Sequence, residues 1–363
     1  MFRQTRALFI LILLQFIGLA VHAQTNEADW WKSTTVYQVY PRSFYDTDGD
    51  GLGDLNGIIQ KLDYVKSFGF ETIWISPFFK SPQRDFGYDI SDYRSIASEY
   101  GDMETCLKLI DEVHARDMKI VFDLVMNHTS DEHDWFKESA SSKDNAKADW
   151  YVWKDGKGKD ERKPPNNWKA TIGGSGWHWH DGRKQFYWAS FLEFQPDLNY
   201  SNPEVKNAML DVARHWLSKG VDGFRLDIFN SIYEDTSFQN NPGSLRIIPS
   251  EESPDGFFQK MKYNVNQEES FEFATELRSM VDSFQNPSRF TVGEVFGDVE
   301  TTKKFCSYNG KDGLHTIFLF QTLSTPFKAK KWWKMVEEFE HNFPSPFVPT
   351  YVFSNHDRRR SIT

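Results

Sequence analysis

The sequence predicts an α/β protein folded as a (β/α)8 TIM barrel, and three patterns support this prediction. Short apolar runs alternate along the chain with segments of helical periodicity, as parallel β-α units require. Two of the helical segments end at a glycine, Gly69 and Gly220, which is a common helix stop. Carboxylates recur where the apolar runs end. In a closed barrel these strand ends meet at one face, where functional side chains lie.

Seven strands and six helices are predicted in alternation. The strands cover residues 36–44, 72–76, 119–125, 224–229, 289–295, 316–320 and 349–353, and the helices cover 55–68, 103–116, 203–219, 269–284, 298–305 and 328–339. The sequence ends ten residues after the seventh strand, at Thr363. We therefore expect a barrel that is truncated after the seventh strand.

Two segments are expected to lie outside the barrel. Residues 1–23 have a basic start, an apolar run and the small-residue site Val21-His22-Ala23, which is typical of a cleaved secretory signal peptide. The run is shorter than the roughly 20 residues of a membrane span, so we expect a secreted or periplasmic protein without a stable span. Residues 130–200 are too long for a structureless loop and predict an inserted subdomain B. Residues 24–129 and 201–363 would form the barrel domain, incomplete at its C-terminus.

The composition excludes one class of partner and hints at another. A formal net charge of −10 and the lack of a basic stripe argue against binding to nucleic acid. The 13 Trp and 14 Tyr residues suit core packing, and they equally suit stacking on the apolar face of a sugar. Two distant cysteines imply no disulfide framework.

The stretch Val221–Phe229 places two charges in an apolar strand. Arg225 and Asp227 are two residues apart and project from the same face of a strand. A charged pair in an apolar layer is costly unless it is paired or used. From this stretch alone, a structural ion pair and a nucleophilic carboxylate held ionised by an arginine are equally favoured.

Further carboxylates follow the other predicted strands. Asp89 follows the second strand, Asp123 lies in the third, Glu294 ends the fifth, and Asp357 follows the seventh. Carboxylates that converge on one rim repel one another and raise one another's pKa. Glycosidases use such crowding: one carboxylate stays ionised and attacks, and another with a raised pKa protonates the leaving oxygen.

Five motifs in a fixed order identify the family that the chain resembles. They are DLVMNH from Asp123, QPDLN from Gln195, GFRLD from Gly223, GEVFG from Gly293 and FSNHD from Phe353. The chain resembles the α-amylase family, glycoside hydrolase family 13, and within it the α-glucosidase and oligo-1,6-glucosidase branch. The resemblance implies a retaining glycosidase of carbohydrate catabolism that releases glucose from the non-reducing end of short α-1,6 or α-1,4 glucosides.

The resemblance also assigns roles to individual residues. It implies that Asp227 is the nucleophile, Glu294 the general acid/base and Asp357 the carboxylate that orients the reacting sugar. Arg225 would hold Asp227 ionised, and retention implies carboxyl groups of nucleophile and acid/base roughly 5 Å apart. The expected sugar-binding residues are Tyr88 as a stacking ring and Asp89, His128 and His356 as hydrogen-bonding groups, while Asp123 would orient the arginine and Asn127 would hold a loop. The bulky Ile228, next to the nucleophile, implies a preference for α-1,6 linkages.

A second motif lies away from these residues, in the loop from Asp46 to Asp54. Its carboxylates alternate with other residues and are separated by glycines, so the loop can wrap a hard cation with oxygen ligands. In the branch that the chain resembles, this loop binds a structural Ca²⁺ or Mg²⁺. The implied ligands are the carboxylates of Asp46, Asp48, Asp50 and Asp54 and the carbonyl of Leu52. The alternative is a solvated acidic turn.

Two alternatives to a hydrolase remain open. A transglucosylase or sucrose isomerase would use the same covalent intermediate and pass it to a sugar instead of water. A non-catalytic barrel associated with a transporter would need a membrane span and would tolerate lost carboxylates. Asp227, Glu294 and Asp357 are all present, which favours an enzyme with an oligosaccharide or disaccharide substrate.

Overall fold

The computed structural model describes residues 27–250 and 252–357. The predicted signal peptide, residues 1–23, lies outside these ranges. No helix within them combines the length and the apolarity needed to cross a membrane.

Strands and helices alternate as the sequence pattern predicts. The strands are β1 (Val36–Val39), β2 (Thr72–Ile75), β3 (Phe79–Lys80), β4 (Asp92–Ile96), β5 (Lys119–Val125), β6 (Trp153–Lys154), β7 (Trp177–His180), β8 (Gln185–Trp188), β9 (Gly223–Asp227), β10 (Phe290–Gly293) and β11 (Thr316–Ile317). The helices are α1 (Leu55–Ser67), α2 (Met103–His114), α3 (Asp134–Ser141), α4 (Pro203–Ser218), α5 (Glu268–Asp282), α6 (Val299–Phe305), α7 (Gln321–Ser324) and α8 (Ala329–Asn342).

Six strands form one parallel sheet in the order β1-β2-β5-β9-β10-β11. The sheet curls, because Trp74 on β2 lies 5.6 Å between ring centroids from Phe318, which follows β11 at the far side of the sheet. An apolar layer fills the concave face and contains Trp30, Trp74, Val121, Phe290 and Val292. The predicted barrel architecture is therefore confirmed over these six strands.

Residues that alternate with the inward ones pack against the helices. Phe122 on β5 is fully buried, and its ring meets those of Phe78 and Trp216 at 4.8 and 5.4 Å. At the start of β9, a Cβ on Gly223 would lie 2.3 Å from the Phe290 carbonyl oxygen. Glycine thus lets β9 and β10 approach closely enough to pair.

The predicted strand at residues 349–353 does not form. Its segment follows β11 through threonine side chains instead of a backbone ladder: the Thr350 hydroxyl donates to the Ile317 carbonyl at 2.5 Å, and the Thr316 hydroxyl donates to the Val348 carbonyl at 2.6 Å. The predicted first strand is also too long. It ends at Val39, because Pro41 lacks an N–H for a ladder and begins a 3₁₀ turn.

Residues 130–200 contain helix α3 and the antiparallel sheet β6-β8-β7. An aromatic cluster of Trp168, Trp177 and Trp188 forms a separate small core there. Phe238, from the excursion after β9, stacks on Trp168 at 5.3 Å between ring centroids. The insertion and the segment after β9 therefore pack together over the barrel rim.

Candidate active site

A cavity of about 1080 Å³ opens at the carboxyl ends of the parallel strands. Its lining includes Arg225, Asp227, Ile228, Glu294, His128, Tyr88, His356 and Asp357. The structure therefore brings together all the predicted catalytic residues and all the predicted sugar-binding residues except one, Asp89.

Arg225 connects the carboxylates of three neighbouring strands. Its guanidinium donates from Nη1 to Asp123 Oδ1 at 2.8 Å and to Asp227 Oδ1 at 2.6 Å, and from Nη2 to Glu294 Oε2 at 2.5 Å. Only 2% of Arg225 is exposed. The register explains the convergence: β9 lies between β5 and β10, with Asp123 directly beside Arg225. The predicted role of Asp123 in orienting the arginine matches this geometry.

Burial raises the pKa of both predicted catalytic carboxyls. It raises the pKa of Asp227 to about 6, although the Arg225 guanidinium opposes this rise. It raises the pKa of Glu294 to about 7, again against Arg225, and the negative charges of Asp227 and Asp357 add to the rise. The order of the two values, Glu294 above Asp227, is the one that an acid and a nucleophile require.

The backbone turns sharply directly after Asp227. Ile228 has φ 36° and ψ 45°, the left-handed region that a β-branched residue adopts only at a cost. In this conformation its N–H donates to Glu294 Oε2 at 3.3 Å, and the Phe229 N–H donates to the Glu294 carbonyl at 2.9 Å. The turn therefore holds the predicted acid/base in place, and the Ile228 side chain lines the cavity.

His128 lines the cavity. Its Nδ1 lies 3.3 Å from the Asn127 side-chain amide nitrogen, which also donates to Ser190 Oγ at 3.0 Å. Burial lowers the pKa of His128 to about 4, so the ring is neutral near pH 7. When Nδ1 accepts from Asn127, Nε2 carries the proton. A hydrogen bond with the Tyr88 backbone acts against burial and favours the protonated ring.

Tyr88 and His356 form a hydrogen-bonded relay next to the arginine. Gln38 Nε2 lies 2.9 Å from His356 Nδ1, His356 Nε2 lies 3.0 Å from the Tyr88 hydroxyl, and that hydroxyl lies 3.1 Å from Asp123 Oδ2. The His356 ring also stacks on the Tyr88 ring at 5.5 Å between centroids. One face of Tyr88 is thus occupied by His356, and burial lowers the pKa of that histidine.

Asp357 is the most exposed of the three predicted catalytic carboxylates. Its side chain is 57% exposed and lies 3.5 Å from His356 Nε2, whereas the Glu294 side chain is 11% exposed. It lines the cavity, and its charge contributes to the raised pKa of Glu294.

The prediction that Asp89 binds sugar is wrong for this structure. Asp89 is fully buried and accepts from Ser81 Oγ and from the backbone N–H groups of Arg84 and Asp85, all within 3.0 Å, so it shapes the loop and does not line the cavity. Asp85 lines the cavity instead and accepts from Gln195 Nε2 at 2.8 Å. Burial also raises the pKa of Asp85. Both carboxylates lie in one loop, and the sequence alone gives no sign of which is buried.

The acidic loop brings three carboxylates together. Ligand oxygens of Asp46, Asp48 and Asp50 lie within 4.8 Å of one another, and all three residues are exposed. Gly49 and Gly51 have φ of 82° and 92°, and their N–H groups donate to Asp46, which lowers the pKa of that carboxyl. Three ionised oxygens this close fit the ligand set of a hard cation such as Ca²⁺.

Asp54 and Leu52 lie outside this group. Asp54 caps helix α1 by accepting from the Gly57 N–H at 2.7 Å, and its other oxygen accepts from the Thr47 N–H at 2.8 Å. Leu52 donates its N–H to Asp50 Oδ1 at 2.7 Å. These contacts hold Asp54 at the end of the loop, and the ligand roles of Asp54 and of the Leu52 carbonyl stay predictions.

A second pair of buried acids, Asp197 and Glu234, was not anticipated. Asp197, of the QPDLN motif, is fully buried and accepts from the Ser190 N–H at 2.9 Å. Its carboxyl group contacts that of Glu234, from the segment after β9. Burial raises the pKa of Asp197 to about 7 and that of Glu234 well above its usual value. The raised pKa of each carboxyl favours a proton on the pair, which lies between the insertion and the segment after β9.

Comparison with known proteins identifies the relatives of this chain. Residues 38–363 match the family model described as alpha amylase, catalytic domain. A probable alpha-glucosidase of Rhizobium meliloti is 41% identical over 352 residues, which are 93% of this chain and 61% of that protein. An oligo-1,6-glucosidase of Heyndrickxia coagulans is 42% identical over 355 residues, 92% of this chain and 60% of that protein.

A solved structure agrees with these relatives. The alpha-glucosyl transfer enzyme XgtA superposes with a TM-score of 0.84 at 40% identity, covering 92% of this chain and 62% of that one. The chain thus spans about three fifths of the length of the curated relatives that it matches.

The Asp197–Glu234 pair predicts a specific pH dependence of stability. Both carboxyls have a pKa above that of an unfolded chain, about 4, so their contribution is fully present below that pH and is lost as the pH rises through about 7. Glu234→Gln keeps a hydrogen-bond donor but cannot ionise. We expect its free energy of unfolding to fall less than that of the wild type between about pH 5 and 8.

Urea unfolding at several pH values measures this difference. Glu338→Gln, on an exposed face of α8, is the matched control and should follow the wild type. Parallel curves for Glu234→Gln and the wild type would show that the pair does not retain a proton.

Proposed function

The chain belongs to the alpha-amylase family, and from this premise we propose that the full-length protein is a retaining glycosidase that releases glucose from the non-reducing end of short α-glucosides. The observation that carries the proposal is the shared contact of Asp227 and Glu294 with one buried guanidinium at 2.6 and 2.5 Å. The names of the relatives, alpha-glucosidase and oligo-1,6-glucosidase, support it.

The two carboxyls divide the reaction between them. Asp227 attacks the anomeric carbon and forms a glucosyl ester, while Glu294 gives its proton to the glycosidic oxygen as the bond to the leaving group breaks. Glu294 then takes a proton from water, the water oxygen bonds to the anomeric carbon, and the bond to Asp227 breaks. Two inversions at that carbon retain its configuration. We expect the two carboxyl groups to stand roughly 5 Å apart.

The charges of the cavity favour neutral sugars. Arg225 is the one Lys or Arg side chain among the described residues of the lining, and three carboxylates already occupy it. A phosphorylated sugar would meet the carboxylates of Asp85, Asp227 and Asp357, and no free cation among the described lining residues would balance its charge. Neutral hydroxyls, in contrast, can pair with the Asp85 and Asp357 oxygens.

Transfer to a sugar acceptor is the second candidate. The solved structure of XgtA is titled an alpha-glucosyl transfer enzyme, and it shares the fold of this chain. The same glucosyl ester on Asp227 would be released by a sugar hydroxyl, from which Glu294 takes the proton. Chromatography of the products at high sugar concentration distinguishes hydrolysis from transfer, because hydrolysis yields free glucose and transfer yields new glucosides.

A structural cation is proposed for the loop that holds Asp46, Asp48 and Asp50. Three converging carboxylates repel one another unless a cation balances them, and oxygen ligands suit Ca²⁺ or Mg²⁺. The loop precedes helix α1, so the ion would stabilise the connection between β1 and α1 and take no part in the reaction.

Loss of the nucleophile should abolish turnover. We expect Asp227→Ala in the full-length protein to lower kcat for a chromogenic α-glucoside by about 10⁴-fold or more. Asp211→Ala, on the exposed side of α4, is the control and should retain activity. Undiminished turnover by Asp227→Ala would overturn the assignment.

The wild-type kcat/KM should fall below about pH 6 as Asp227 gains a proton and above about pH 7 as Glu294 loses one.

Ile228 should set the linkage preference. Its buried side chain lines the cavity directly after Asp227, and we expect the wild type to hydrolyse isomaltose faster than maltose. Ile228→Ala should shift the ratio of the two kcat/KM values towards maltose by about tenfold, since removing a branched side chain from a pocket changes discrimination by this order. A wild-type preference for maltose would contradict the proposed linkage.

Removal of the cation should destabilise the fold. We expect a chelator to lower Tm of the wild-type protein by about 3 °C or more and added Ca²⁺ to restore it. Asp48→Asn should lose most of this response, while Asp144→Asn, at an exposed site away from the loop, should keep it. A wild-type Tm that is insensitive to both chelator and Ca²⁺ would favour a solvated acidic turn.

A further inference from the structure

The Asp197–Glu234 pair lies directly behind the wall of the active-site cavity. The backbone of Asp197 pairs with that of His128 in an isolated antiparallel bridge, and His128 lines the cavity. The next residue, Leu198, continues this pairing, because its N–H donates to the Asn127 carbonyl at 3.0 Å. The backbone around Asp197 is therefore bound to the segment that carries His128.

Side chains make a second connection between Asp197 and the cavity wall. The Asp197 carboxylate accepts from the Ser190 N–H at 2.9 Å and also from the Ser190 hydroxyl. That hydroxyl oxygen accepts from the Asn127 side-chain amide at 3.0 Å, and the same amide nitrogen lies 3.3 Å from His128 Nδ1. Phe191, the residue after Ser190, lines the cavity, and its ring lies 5.9 Å from that of His128. The position of the Asp197 carboxylate therefore affects two residues of the wall.

Glu234 is the hydrogen-bond donor to this carboxylate. Its side chain bonds to Asp197 and to the Trp188 indole, and its Oε1 atom is shielded from solvent. Burial and the negative charge of Asp197 raise the pKa of Glu234 well above its usual value, so Glu234 keeps its proton near neutral pH. Two ionised carboxylates would repel at this contact, whereas a protonated one donates a charge-assisted hydrogen bond to the other.

We propose that Glu234 is a positioning residue for sugar binding, because its carboxyl donates a hydrogen bond to Asp197 and thereby holds His128 at the cavity wall. This inference rests on the proposed glycosidase function and adds a residue to it, since Glu234 does not line the cavity. Without this donor, the buried Asp197 carboxylate loses a partner, and the segments bound to it shift to restore one. The contacts that hold Asp227 and Glu294 are separate, so the shift affects sugar binding more than the chemical step.

Substitutions that differ in their ability to donate test the inference in the full-length protein. Glu234→Met is similar in size but has no donor, and we expect it to raise KM for a chromogenic α-glucoside by about threefold or more, with kcat changed by less than about twofold. Glu234→Gln keeps a neutral donor and should retain the wild-type KM. Glu272→Gln, at an exposed site on α5, is the matched control and should change neither constant. Glu234→Ala also lacks a donor and replaces Glu234→Met if that variant does not fold.

The outcomes separate this inference from the function on which it rests. A wild-type KM in the folded variants without a donor would overturn the inference and leave the glycosidase standing. An equal rise of KM in Glu234→Gln and Glu234→Met would also overturn it, because donation would then not matter. A wild-type KM that falls when Ca²⁺ replaces a chelator, with no such response in Glu234→Gln, would show that the pair holds a cation instead of a proton. Failure of the wild type to hydrolyse any α-glucoside would overturn the proposed function, and the inference with it.

Discussion

The buried guanidinium of Arg225 is the interaction on which the site depends. It donates to carboxylates of Asp123, Asp227 and Glu294 at 2.5–2.8 Å, in a place where almost no water reaches it. One cation cannot balance three buried anions, so part of the carboxyl group population must keep protons near neutral pH. Burial raises the pKa of Glu294 and the negative charges of Asp227 and Asp357 add to the rise, while Arg225 opposes it. Arg225 thus holds the two predicted catalytic carboxyls together and favours the ionised form of each.

The parallel sheet makes this contact possible. Arg225 is 102 residues from Asp123 and 69 from Glu294 along the chain, yet β5, β9 and β10 lie side by side. Alternation along each strand sends these residues to the concave face and sends Phe122 and Leu226 to the helices. The left-handed turn at Ile228 then fixes Glu294 through a backbone N–H. The geometry of the site therefore depends on register more than on any local segment.

The sequence predicted the elements that repeat along the chain and the carboxylates at the strand ends. Alternating apolar runs predicted the curled parallel sheet, and strand-end carboxylates predicted the cluster around Asp227. It failed where the outcome depends on contacts within a loop. Asp85 and Asp89 are chemically alike and four residues apart. Only the folded loop shows that Asp89 accepts hydrogen bonds from backbone N–H groups. The strand expected at residues 349–353 does not form, and threonine hydroxyls connect this segment to β11 in place of a backbone ladder.

Trapping the covalent intermediate would test the division of roles between Asp227 and Glu294 most directly. The full-length protein would be incubated with a fluorinated glucosyl donor that forms the ester quickly and hydrolyses it slowly, and the labelled peptide would be identified by mass spectrometry. The arrangement around Arg225 predicts a single glucosyl ester on Asp227. A label on Glu294, or rapid turnover of an α-glucoside with inversion and no ester, would contradict it.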